Sequence, residues 1–160
     1  MRELMLALLV VVLVSCGTNK VNLPIDTSLG KLVRIEQKEK VATDDESISA
    51  EGGKVLYVLS FEGKNELTYE GGEQDALRAF PLVDSKGTEF NSIFAGSPTN
   101  TGALSNKDWR FNGQLQGRNG KFVFVGVLSI PTGKLTVVYS VPKDAGGLSL
   151  KDGERRHAVN

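Results

Sequence analysis

The chain has 160 residues, with 19 basic and 19 acidic side chains and a single histidine. Balanced charge removes the electrostatic case for nucleic-acid binding, which needs a basic face. One cysteine, Cys16, excludes an internal disulfide framework, so stability has to come from a hydrophobic core.

Leu4 to Val14 is an unbroken apolar run behind Arg2, with Glu3 offsetting that positive charge. It falls short of the roughly 20 apolar residues that span a bilayer and has the length of a signal-peptide core. The run closes on Leu13-Val14-Ser15-Cys16. This resembles the bacterial lipobox, in which a small residue precedes the cut and the thiol carries a diacylglyceryl group. Residues 1–15 therefore read as a cleaved lipoprotein signal peptide. Cys16 reads as the lipidation site and the membrane attachment, since several acyl chains hold a protein where one alone is marginal. The expected location is the bacterial cell envelope, outside the cytoplasm. Gly17 rather than Asp follows the cysteine, which points to the outer membrane in a Gram-negative cell.

About 145 residues remain after such a cut, enough for one core. Residues 16–30 are polar and without period, and read as a lipidated tether. Residues 31–151 read as the folded domain. Lys31–Glu36 is a first strand, and 37–53, with Asp44-Asp45-Glu46 and Gly52-Gly53, is a solvated hairpin or long loop. From Lys54 to Phe61 the pattern predicts a central strand, with Val55, Tyr57, Leu59 and Phe61 on one face and Leu56 and Val58 on the other. Ala79–Val83 and Thr88–Ile93 flank Asp84-Ser85-Lys86-Gly87, a type I turn sequence, and predict a hairpin. Glu73–Arg78 offers one or two helical turns. Phe122–Ile130 and Leu135–Val141 are strands joined tightly through Pro131-Thr132-Gly133-Lys134, and Gly147–Lys151 adds a short last strand. Residues 152–160 read as a frayed polar tail. Short strands and 18 glycines favour an all-β antiparallel sandwich or barrel.

Three stretches carry a family resemblance. They are Lys54-Val55-Leu56-Tyr57-Val58-Leu59-Ser60-Phe61, the segment Phe80 to Phe90 with its Asp84–Gly87 turn, and Gly120 to Pro131. In them the chain resembles the bacterial immunoglobulin-like "immunoprotective extracellular" family of secreted proteins and lipoproteins. Where that family often has Pro-Gly before the late strand, this chain has Arg118-Asn119-Gly120. Where the family often has Asn soon after the first strong strand, it has Glu62-Gly63-Lys64-Asn65. The resemblance implies an immunoglobulin-like sandwich of about seven strands, an extracytoplasmic location and no established enzymatic activity.

Catalytic and metal chemistry find little support. His157 ends the charged run Glu154-Arg155-Arg156-His157, close to the final Asn160. It reads as a solvated tail residue rather than as a base held for Ser-His or Cys-His work. Zinc and copper need clustered His or Cys, and no cluster exists once Cys16 is acylated, so no metal ligand and no cofactor is assigned. Gly113 to Phe122 misses the phosphate-loop spacing and its final hydroxyl, and reads as a turn before a strand. Asp44, Asp45 and Glu46 are consecutive, so in extended chain they point to opposite sides. They read as a solvated acidic loop rather than a calcium site.

Recognition residues are better represented. Trp109 and Phe111 sit two apart with Arg110 between them, so on a strand both rings share a face. They either pack inward or offer an aromatic contact for a partner or a sugar, and Trp109, Arg110 and Phe111 are the candidate contact. Ala95–Lys107 is the first-choice recognition loop and 37–53 the second. Two functions follow. One is a non-catalytic, lipid-anchored module that contacts an envelope or extracellular protein. The other is a small-ligand carrier. A carrier needs a pocket of about 300 Å³ or more, whereas a contact module needs a filled core and an exposed apolar patch.

Overall fold

The computed structural model describes residues 21–160 apart from 73, 74 and 77. The expected signal peptide and Cys16 lie outside the described residues, as does part of the segment expected to make a helical turn. The first strands are β1 (Ile25–Thr27), β2 (Gly30–Lys38), β3 (Lys40–Ala42), β4 (Ser47–Ser49) and β5 (Lys54–Glu62). There follow β6 (Glu66–Glu70), β7 (Leu82–Val83), β8 (Glu89–Phe90), β9 (Ser92–Pro98) and β10 (Leu104–Ser105). The last are β11 (Arg110–Arg118), β12 (Lys121–Ser129), β13 (Lys134–Pro142), β14 (Ser149–Asp152) and β15 (Arg155–Ala158). The fold is all-β and its strand pairs are antiparallel, apart from one isolated parallel bridge.

Six strands form the largest sheet, in the order β1-β2-β5-β13-β9-β10. A second sheet runs β11-β12-β6, a third β15-β14-β7-β8, and β3 pairs with β4 alone. The alternation read from Lys54–Phe61 explains why β5 sits inside the large sheet. Val55, Tyr57, Leu59 and Phe61 join the main core, where they meet Leu67 and Leu128 of the second sheet and Leu82 and Leu150 of the third. Leu56 and Val58 face the other way, into a smaller cluster with Val41, Leu104 and Val138. Each such side chain contributes about 1.5–3 kcal/mol on burial, so both faces of β5 stabilise the fold.

The turn at Asp84–Gly87 forms as its sequence predicts. Gly87 N–H donates to Asp84 O at 3.0 Å, and Asp84 Oδ1 accepts from the N–H groups of Lys86 (2.9 Å) and Thr88 (2.8 Å). Gly87 has φ +85°, a region that disfavours side chains with a Cβ. The Thr88 hydrogen bond is the main reason the Asp84 carboxyl titrates below its usual range.

Several boundaries differ from the sequence reading. The segment expected as a tether contains β1, and Leu29 within it is buried, so the fold begins before residue 31. The expected frayed tail contains β15, paired along its length with β14, and includes buried Val159. Of Gly113–Phe122, expected as a turn before a strand, only Asn119-Gly120 turns; Gly113–Arg118 belongs to β11, a nine-residue strand paired with β12 from Arg110–Ser129 to Arg118–Lys121. More strand segments are present than the seven expected. Backbone pairing extends the sheets through polar and glycine-rich stretches that carry no hydrophobic alternation.

Candidate functional site

The two loops chosen from the sequence meet in space. Within 37–53, β3 and β4 form a short hairpin, and within 95–107, β9 folds back onto β10. Thr43 bridges to Leu104, Asp44 N–H donates to Leu104 O at 3.1 Å, and Lys107 Nζ lies 3.0 Å from Asp45 Oδ1 and 3.9 Å from Asp44 Oδ2. The hydrogen bond and charge of Asp45 raise the Lys107 pKa. The acidic loop thus forms one surface with the first-choice loop, and the Lys107 pairs are exposed and weakly stabilising.

Beneath this surface lies an open groove of about 400 Å³ on the outer face of the large sheet. Ser60 and Thr136 line it, with Val58 and Val41 as apolar wall and Pro98, Gly102 and Leu104 on the far side. Its charged residues are Arg34, Lys38, Lys40 and Lys134 against Glu36 and Glu62. Lys38 is already paired with Glu36 at 3.2 Å. The excess of cations suits an anion or an acidic side chain.

The three named contact residues have different settings. Trp109 packs against the main core, and its Nε1–H donates to Ser97 Oγ at 3.0 Å. Ser97 Oγ–H in turn donates to Lys134 O at 2.7 Å. Arg110 is exposed, with Nη1 donating to Lys107 O (3.0 Å) and Trp109 O (2.9 Å). Phe111 parts from Trp109 and sits between Tyr69 and Phe124, with ring centroids 6.3 Å from each. Trp109 still borders a cleft of about 280 Å³ with Thr99, Asn100 and Thr132.

A second surface escapes the sequence reading. Leu115 stands across from Phe124 on the β11–β12 hairpin, and Phe122 is two residues away along the same face. Leu115 is 68 %, Phe122 82 % and Phe124 38 % exposed. Glycines make room for the rings at the base of this face. A Cβ on Gly126 would lie 2.7 Å from Phe111 Cε2 and 2.9 Å from Tyr69 Cζ, and one on Gly113 would collide with the Phe124 ring. The signal that could reveal the hairpin is Asn119-Gly120, a strong two-residue turn sequence; both residues adopt positive φ, 49° and 73°.

His157 is not a solvated tail residue. Its side chain is 14 % exposed and its Nε2 lies 3.6 Å from Asp152 Oδ2. Asp152 is 4 % exposed and accepts from Ser28 N–H and from Arg155 Nη2, each at 2.9 Å. Burial pushes its carboxyl up, but the Ser28 hydrogen bonds and the Arg155 charge outweigh this and hold it below its usual range. The cluster ties the residues after β1 to the β14–β15 hairpin. Among the described residues, no group of three or more His, Cys, Asp or Glu side chains is placed to hold a metal. No helix among them is long and apolar enough to cross a membrane. Comparisons with family models, curated proteins and solved structures return no match.

Proposed function

We propose that the chain is a lipid-anchored, non-catalytic module of the bacterial cell envelope. In this reading it is an immunoglobulin-like β-sandwich, attached through Cys16, that binds an envelope or extracellular protein through the surface built by 37–53 and 95–107. The observation that carries the reading is the junction of those segments at Thr43–Leu104 and Lys107–Asp45, which makes two separate loops one continuous surface. The lipobox-like Leu13–Cys16 and the all-β fold support the anchor and the architecture.

The test is a photo-crosslinking residue at exposed Asn100 or Asp45 in intact cells, with exposed Lys31 as a control on β2. A specific protein adduct from the two loop positions and none from Lys31 supports the reading. Equal yields from all three positions refute it. A second reading, a small-ligand binder, is favoured by the cationic groove of about 400 Å³. It predicts a co-purifying anion that is lost on Arg34→Glu.

A further inference from the structure

The β11–β12 hairpin is the apolar surface that the reading above leaves unused. Its tip, around Asn119-Gly120, lies eight residues along β11 from Arg110, about 26 Å at the strand rise. Phe122 and Leu115 are the two most exposed large hydrophobic side chains of the described residues. Arg118 and Lys121 face each other at the tip, on the opposite face of the hairpin from these apolar side chains. From Trp109 to Lys143 the sequence has no acidic residue. The carboxylate met across the sheet is Glu70, 2.7 Å from Arg118 Nη1, and Lys121 makes no ion pair among the described residues. Aromatic and aliphatic side chains with flanking cations are the composition that seats in a headgroup layer.

A second copy fits less well. Antiparallel pairing of two β11 edges about Gln114 would put Arg110 opposite Arg118 of the other copy, like charges across a strand pair.

We propose that this hairpin is a membrane contact carried by the protein itself, with Phe122 and Leu115 entering an anionic bilayer and Lys121 and Arg118 lying at the lipid phosphates. The nearness of a bilayer rests on the Cys16 anchor. Eight residues, 17–24, separate that cysteine from β1, and at full extension they reach at most about 29 Å. The direction of the chain agrees. β1 runs antiparallel to β2 with Ile25 across from Leu32, so the chain enters β1 near the start of β2 but heading away from the end where β2 and β13 finish, and the reach of 17–24 is what would carry Cys16 toward that end. β12 starts at Lys121 and leads through the 130–133 turn into β13, so the tip lies at the far end of β12 from that turn.

The experiment uses the full chain purified from membranes and reconstituted into vesicles of phosphatidylethanolamine and phosphatidylglycerol with brominated acyl chains. Phe122→Trp is compared with Ile93→Trp, an exposed site on β9, over the background of Trp109. Mass spectrometry of Cys16 and vesicle flotation accompany the fluorescence. Bromolipid quenching of Trp at 122 but not at 93, reduced about fivefold in ratio of inserted to free hairpin by Lys121→Gln, is the expected result. Equal quenching at both positions in a floating, acylated chain overturns the hairpin contact and leaves the anchor standing. Quenching at 122 in a chain without acyl groups upholds the contact and overturns the anchor. A chain that does not float overturns both. A blue shift at 122 that follows protein concentration and ignores bromolipid assigns the surface to a second copy and overturns the proposal.

Discussion

Replacing Asp152 with alanine tests whether the two ends of the described chain are clasped together. Its carboxylate accepts from the Ser28 N–H and from Arg155, both at 2.9 Å, at a buried site. A hydrogen bond to a charged group is worth about 1.5–3 kcal/mol. The Arg155 side chain is largely exposed and adds little. Asp152→Ala should therefore cost about 2–3 kcal/mol at pH 7, read by urea unfolding with Trp109 fluorescence. The pH dependence has a definite sign. The folded carboxyl titrates below its usual range, so its contribution is complete above the unfolded value of about 3.9 and is lost as pH falls through the lower folded value. The gap between wild type and variant should narrow as the pH is taken from about 5 to about 3, values set around that unfolded pKa. A variant within about 0.5 kcal/mol of wild type at pH 7, or a gap constant with pH, would refute the clasp.

Three further outcomes are expected. Leu59→Ala, at a fully buried site, should lower stability by about 2–5 kcal/mol in urea titration, while Ile93→Ala, at an exposed one, should stay within about 0.5 kcal/mol. Gly126→Val should cost about 1–3 kcal/mol by overpacking and shift the ring resonances of Phe111 and Tyr69, since its Cβ would fall 2.7 Å from one and 2.9 Å from the other. Cys16→Ser should abolish incorporation of labelled palmitate and release the chain from the membrane fraction.

The parts legible in sequence are those whose signal is local. β5 shows itself through alternation on both faces, and the Asp84–Gly87 turn through an aspartate that accepts from the backbone two and four residues ahead. β11 is hidden because Arg110–Arg118 has no β-branched residue and two glycines; it is a strand because β12 pairs with it. β1 and β15 are short, and their place depends on partners and on the Asp152 clasp rather than on composition. The junction of 37–53 with 95–107 is a matter of topology. Nothing near Thr43 in the chain specifies Leu104.

The small β3–β4 hairpin has a second duty. Its Val41 and Ile48 roof Leu56, Val58 and Val138, which would otherwise face water on the outside of the large sheet. Outward residues such as Asp45, Glu46 and Ser47 are exposed and so are free to change without opening that roof. Drift in the proposed recognition surface is thereby confined to the turn and the outward positions of the hairpin, while the inward ones are held by solubility.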